Sequence, residues 1–414
     1  MPNKKSKRRV VITGIGIISP IGTGKQNFTD ALLNGVSGVK RLENFGGAKF
    51  SKAIAGAIPD FEPSAHIHTK NIPCGRSAQM AVAASDMALE DACLTSDNFD
   101  PDRTGVIIGS SVGGLQFYET EINLFGMKGR VNPYAPISIF AGAVSSEVSI
   151  YTGARGPSHT LSNGCTASTD AIGSAFRSIR TGETDVVISG GAESPITPFI
   201  MAGFRSIHVL SRKTDIPEKA CRPFDALRDG MVIAEGACIF IIENLEHALA
   251  RQAPIYAEIF GYASTNDACH MLRPEASGKS VARCMAAALQ DAGIGINDVQ
   301  YINAHGTSTI INDRIETQAI KAVFKNYAEN IPASAVKSMT GHAIGASGGI
   351  EMAAAILGMQ NGFMPPTINL ENVDPECDLD YVPNQARKCG MDVFLKNSIG
   401  FGGKNAMLVV GRCT

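Results

Sequence analysis

Short uninterrupted apolar runs alternate along this chain with amphipathic segments. The runs at 9–18 (RVVITGIGII), 104–109 (TGVIIG), 185–190 (DVVISG) and 234–243 (AEGACIFIIE) read as strands of the kind found in sheets covered on both faces. Between them, 77–93 is rich in Ala and Met at packing positions and reads as a helix. Shorter helices fit 27–33 and 245–251. After Asn163-Gly164, small or apolar residues recur at Ala167, Ala171, Ile172, Ala175, Phe176 and Ile179, one face of a helix that Gly182 closes. From Pro254 the pattern starts over. A strand at 254–263 is followed by a helix at 280–292 and a strand at 299–304. A helix at 313–324 then carries Ile315, Ala319, Ile320 and Val323 on one face. Another begins near Gly341 and runs through 350–359, and the last strands lie near 396–399 and 406–410. Proline-punctuated loops at 36–75 and 195–235, and an excursion with helical pieces at 115–150, interrupt this rhythm.

The order of elements repeats. The strand and glycine loop at 104–110 match those at 299–306, the Gly164-Cys165 helix matches the Gly341-His342 helix, and the strand and Gly-Gly at 185–191 match 397–403. This predicts an α/β fold made of two similar halves, 1–252 and 253–414. It also places two helix N-termini, carrying Cys165 and His342, near one pseudo-two-fold axis. A chain of 414 residues is too long for one ordinary core, in line with two halves.

Composition narrows the class. The chain is 44% hydrophobic and 18% charged with a net charge of −2, a globular enzyme profile that leaves no role for nucleic-acid binding. The basic start, Lys4 to Arg9, reads as a solvated tail and lacks the apolar core of a signal peptide. No apolar run reaches the roughly 18 residues of a membrane span. The ten cysteines form no C-x-x-C pair and no zinc spacing, so a reducing, cytoplasmic setting without a resident metal is expected. His66-x-His68 alone is a weak metal signal. Gly14-x-Gly16 invites a dinucleotide-loop reading, but Ser19 and Pro20 break the pattern.

Three residues carry the chemistry. Cys165, in the first turn of its helix, meets a dipole and free N–H groups that favour a thiolate; the alternative is a small cysteine packed like an alanine. His305 (Asn303-Ala304-His305-Gly306-Thr307-Ser308-Thr309) and His342 (Lys337-Ser338-Met339-Thr340-Gly341-His342) each sit in a glycine-rich strand-to-loop setting; the alternative is two buried structural histidines. Together they form a Cys-His-His set suited to thioester chemistry, in which a thiolate takes an acyl group and imidazole N–H groups stabilise charge on a second substrate. A Cys-His protease would need one His and an orienting Asn or Asp.

Gly164-Cys165-Thr166, the His305-Gly306-Thr307-Ser308-Thr309 motif, Lys337 with Gly341-His342, and Gly400-Phe401-Gly402-Gly403 resemble the β-ketoacyl-[acyl carrier protein] synthases over essentially the whole chain. The stretches at 193–198, 312–317 and 374–383 resemble the ketosynthase α subunits of type II polyketide synthases, with the elongation synthases of fatty acid synthesis as the alternative. The resemblance implies a thiolase-like fold of two α/β halves in five layers, αβαβα, working as a dimer with acyl carrier protein. The dimer is a heterodimer with a chain-length factor in the polyketide reading and a homodimer in the elongation reading. It implies no cofactor beyond the carrier's phosphopantetheine arm. It implies that Cys165 accepts an acyl chain, that malonyl-carrier protein loses CO₂, and that the enolate attacks the Cys165 thioester. By the same resemblance His305 and His342 hold the malonyl thioester oxygen, the N–H groups of Cys165 and Phe401 form an oxyanion hole, and Phe401 gates the two half-reactions. Lys337 pairs with Glu351 and Glu316 supports the site. Thr307, Thr309, Gly402 and Gly403 contact substrate, and Val112 lines an acyl pocket or simply packs. The chain departs from the elongation pattern at Lys404 (usually Thr), Ile310 (usually Pro) and Ser162-Asn163-Gly164 before the nucleophile. A non-catalytic chain-length factor lacks the nucleophilic cysteine, a thiolase needs a second one, and an acetyl-CoA-primed synthase has Asn where this chain has His342.

Overall fold

A computed structural model describes residues 8–65, 74–95 and 98–414. The tail at 1–7 and the His66-x-His68 pair fall outside the described residues. The N-terminal half contributes strands β1 (Val10–Ser19), β2 (Thr104–Gly109), β3 (Ser158–Leu161), β4 (Val186–Glu193) and β5 (Gly236–Asn244). The C-terminal half contributes β6 (Ala257–Asn266), β7 (Tyr301–Asn303), β8 (Ala333–Ser334), β9 (Val393–Gly400) and β10 (Lys404–Gly411). They follow one hydrogen-bonded path, β8-β7-β9-β10-β6-β1-β5-β4-β2-β3. Read outward from the centre, each half places its first, fifth, fourth, second and third strand in turn. Directions repeat as well. β2 is parallel to β3 and β4, as β7 is to β8 and β9, and the remaining pairs within each half are antiparallel. The halves join where β1 and β6 pair antiparallel, Val10 opposite Ile259 and Ile12 opposite Ala257.

The longer helices are α1 (Lys25–Leu33), α2 (Arg76–Asp91), α3 (Leu115–Lys128), α4 (Ala143–Thr152), α5 (Ala167–Thr181), α6 (Pro198–Ser206), α7 (Lys279–Ala292), α8 (Ile310–Phe324) and α9 (Ser347–Asn361). α2 and α4 cover the outer face of the first half, and α7 and α8 that of the second. α5 and α9 lie between the halves and touch strands of both. This is the αβαβα layering the resemblance implies. Every residue of β1 is buried, and so is every residue of α9 from Ser347 to Met359. A helix apolar on all sides has to be buried, which makes Glu351 in its middle conspicuous.

Gly14 and Gly16 lie inside β1, where a Cβ would come within 2.2 Å of the Ala88 carbonyl oxygen and 1.8 Å of that of Ala84. These glycines let α2 pack on the strand and cradle no phosphate. His342 does not open a helix. Gly341 takes φ 73 and breaks the short helix Lys337–Thr340. His342 then runs alongside Ile233, its N–H donating to Val232 O at 2.7 Å and its carbonyl accepting from Ala234 N at 2.9 Å. α9 starts at Ser347, after a 3₁₀ turn at Ile344–Ala346. The counterpart of the Gly164–Thr166 turn is that later turn, so the two helix starts are symmetric but His342 is not on one of them.

Candidate active site

Cys165 sits in the 3₁₀ turn Gly164–Thr166, which runs directly into α5. Gly164 takes φ 63, a left-handed turn that favours glycine, and its carbonyl accepts the Ser111 hydroxyl at 2.7 Å. The backbone N–H groups of Cys165 itself and of Phe401 reach the sulfur. They converge as the two donors of an oxyanion hole would. The helix start does not make a resting thiolate, however. Burial pushes the Cys165 thiol up to about 11, and the opposing pull of Lys337 and the two amides is smaller. Desolvation from the surrounding layers outweighs the dipole.

His305 follows β7 in a loop clamped by Glu316 of α8. Glu316 accepts the His305 N–H at 2.7 Å and the Gly306 N–H at 2.8 Å, and the Asn397 amide at 3.0 Å. Gly306, at φ 41, passes where a Cβ would lie 2.3 Å from the Ala335 methyl. The Lys337 ammonium donates to His305 Nδ1 at 3.1 Å and to His305 O at 2.6 Å. An ammonium has no acceptor, so Nδ1 accepts and the ring proton sits on Nε2. The His342 ring lies 5.5 Å away, edge to face. Its Nδ1 meets the Ser347 hydroxyl at 2.8 Å, and its Nε2 is buried without a partner. Burial first, then Lys337, holds both imidazoles well below their ordinary value, so both rings are neutral at pH 7. An unpartnered buried ring nitrogen carries a cost unless a ligand meets it.

Cys165 Sγ and ring nitrogens of the two histidines lie within 4.8 Å of one another. They line a cavity of about 450 Å³ together with Thr307, Thr309, Phe401 and Gly403. The Thr307 and Thr309 hydroxyls are 2.8 Å apart. Phe401 stacks on Phe204 with centroids at 6.5 Å. Gly402 and Gly403 take φ 79 and 71, and the turn is tied to the 266–271 loop by the Gly402 N–H to Met271 O at 2.7 Å. Val112 is not among the residues lining this cavity. Its N–H donates to Glu193 at 3.1 Å, in the turn whose Ser111 holds the Gly164 carbonyl next to Cys165. The Lys337–Glu351 pair is formed, both side chains about 1% exposed.

Two departures from the family pattern meet each other. Lys404 Nζ donates to Asn163 Oδ1 at 3.1 Å, and the Asn163 amide donates to Asp170 at 2.9 Å. Ile310 is the first residue of α8, exposed at the cavity mouth. Sequence reasoning missed two residues. Glu193, fully buried and pushed up to about 7 by burial, accepts N–H groups of Ser111, Val112 and Gly345 and so joins the two symmetric helix starts. Lys396, also fully buried, shares Glu351 with Lys337 at 2.7 Å. Its signal was a charge directly after the apolar run Val393-Phe394-Leu395 in a strand.

The family model for the beta-ketoacyl synthase N-terminal domain matches residues 7–248, and that for the C-terminal domain matches 256–371. A protein of Synechocystis sp. named 3-oxoacyl-[acyl-carrier-protein] synthase 2 is 44% identical over 97% of this chain and 97% of its own length. Among solved structures, the ishigamide ketosynthase/chain length factor superposes with a TM-score of 0.93 at 36% identity, covering 99% of this chain and 100% of that one. A type II PKS acyl-carrier protein in complex with its ketosynthase, bound to the hexaketide, gives 0.92 at 36% identity with the same coverage.

Proposed function

The chain belongs to the beta-ketoacyl synthase family, an acyltransferase-type condensing enzyme, and from that premise we propose that it is a 3-oxoacyl-[acyl carrier protein] synthase of fatty acid elongation. The observation that carries the choice is the 44% identity, over nearly the full length of both chains, to a protein of that name. The ketosynthase resemblance in sequence put the polyketide α subunit first and elongation second; the relatives support the reverse order. The polyketide reading stays second, on the 36% identical ketosynthase structures.

The reaction follows from the site. The Cys165 sulfur attacks the acyl thioester on carrier protein; the thiol proton leaves with the carrier's sulfur, and Cys165 holds the acyl group. The N–H groups of Cys165 and Phe401 receive the tetrahedral oxyanion. Malonyl-carrier protein then enters past Thr307 and Thr309, whose hydroxyls hold the phosphopantetheine arm. Its thioester oxygen meets Nε2–H of His305 and of His342. The bond to the carboxylate breaks, CO₂ leaves, and the electron pair passes into the enolate that the two N–H groups stabilise. The enolate carbon attacks the Cys165 thioester, the sulfur departs, and one proton taken up restores the thiol. The electron pair comes from the lost carboxylate, so no resident cofactor is called on. Neutral imidazoles donate here without carrying charge, as their depressed pKa requires.

For the partner, carrier protein is the expected substrate bearer, and a second copy of this chain the expected dimer mate. α3 and the loop after it expose Ile122, Phe125, Met127, Ile137 and Phe140, and β3 is an edge strand. An exposed apolar patch and an open sheet edge each favour a covered interface. Among the described residues no helix is long and apolar enough to cross a membrane. The test is to supply acyl- and excess malonyl-carrier protein without a reductase. A single two-carbon extension by a homodimer supports elongation. Repeated extension, or a second ketosynthase-like chain co-purifying in equal amount, favours the polyketide reading.

A further inference from the structure

Two carboxylates face the histidine pair from different helices, Glu316 from α8 and Glu351 from α9, both buried. Glu316 takes the backbone of His305 and Gly306; Glu351 takes the ammonium of Lys337. Lys337 can balance only one of them. The next charged neighbour, Asp313, is already paired with Arg228 at 3.4 Å. The second balancing cation is Lys396 on β9, 0% exposed, with Nζ 2.7 Å from the other oxygen of Glu351. Its remaining donors go to the Asn397 carbonyl and to the Ser398 hydroxyl at 3.2 Å, and Ser398 in turn meets Thr169 of α5 at 2.7 Å. All three donors of each lysine are thus used. Those of Lys337 go to Glu351, His305 Nδ1 and His305 O. A buried ammonium without such partners would be costly, so the pairing has to be complete for Lys396 to sit there at all.

We propose that Lys396 is a positioning residue for the condensation half-reaction: it balances the second buried carboxylate, so that Lys337 stays on His305 and the enolate forms in a site without net negative charge. With Lys396 removed, Glu316 and Glu351 outnumber the cations beside two histidines that must remain neutral. The unbalanced charge opposes the enolate and favours protonation of the rings. This rests on the condensing function proposed above. It concerns a residue that touches neither substrate nor sulfur, and it acts through Glu351 and Lys337.

The test is Lys396→Met in the full chain, following malonyl-carrier protein decarboxylation against pH together with thermal melting. The expected result is a fall in kcat of about tenfold at pH 7 with KM within about twofold, and an acid limb of kcat displaced upward by roughly one pH unit. A merely structural role would lower activity without moving the limb; an unmoved limb, or kcat within twofold, overturns the proposal. Should Lys396→Met fold poorly, the charge argument is read from stability. Glu351→Gln leaves two ammoniums against Glu316, whereas Glu351→Gln with Lys396→Met restores one of each. The double variant should therefore melt above either single one; additive losses overturn the proposal. Wild-type chain that fails to decarboxylate malonyl-carrier protein would count against the condensing function instead.

Discussion

The thiol of Cys165 offers the sharpest quantitative prediction. Burial raises it to about 11, against the opposing pull of Lys337 and of the amides of Phe401 and Cys165. At pH 7.5 only about one molecule in three thousand then carries the thiolate in the resting enzyme. Because the thiolate is the reactive form, alkylation by iodoacetamide should rise about tenfold per pH unit between pH 7 and 9 without a plateau. Lys337 is the largest favourable influence on the thiolate, so Lys337→Met should slow alkylation at pH 8 by about tenfold, roughly 1.4 kcal/mol. The assay is intact-mass kinetics with peptide mapping, since Cys93 and Cys269 are also exposed to the reagent. A plateau below pH 9 would mean that the helix start wins over burial and would refute the reasoning, as would an unchanged rate in a folded Lys337→Met protein.

Glu316→Ala leaves the N–H groups of His305 and Gly306 buried without their acceptor; at about 1–3 kcal/mol each, denaturant unfolding should show a loss of roughly 2–6 kcal/mol, and a loss under about 1 kcal/mol would argue that the loop is held otherwise. Gly306→Ala, at φ 41 with a methyl 2.3 Å from its new Cβ, should cost at least about 1–3 kcal/mol of stability, read by the same unfolding titration. Lys404→Met removes the contact between the Gly400–Gly403 turn and Asn163; a single partly exposed bond of this kind is worth about 1 kcal/mol, and Cys165 should still be acylated. A folded Lys404→Met chain that cannot be acylated would show that this departure reaches Cys165.

The apolar run at 104–109 is β2 to the residue, because a strand covered on both faces leaves no polar position to blur its ends. The echo between the halves was legible as an order of elements, and the sheet repeats that order strand by strand. The helix start after His342 was not legible. The four glycines from Gly341 to Gly349 weaken a helix without marking where it starts, and the positive φ of Gly341 and of Ile344, with the bridge to Ile233, separates the histidine from it. The protonation of Cys165 was hidden for another reason: local sequence displays the dipole, whereas the burial comes from layers far away in the chain. Lys396 and Glu193 escaped because their roles exist only through partners contributed by other elements.

The central claim is that one sulfur holds the acyl chain that the second substrate attacks. The direct measurement is intact mass of the chain after mixing with acyl-carrier protein, and again after adding malonyl-carrier protein. The account predicts an acyl increment that maps to Cys165, is absent in Cys165→Ala, and disappears on malonyl addition as CO₂ and a 3-oxo product two carbons longer appear. An increment that persists in Cys165→Ala, or product formed without any increment, would contradict it.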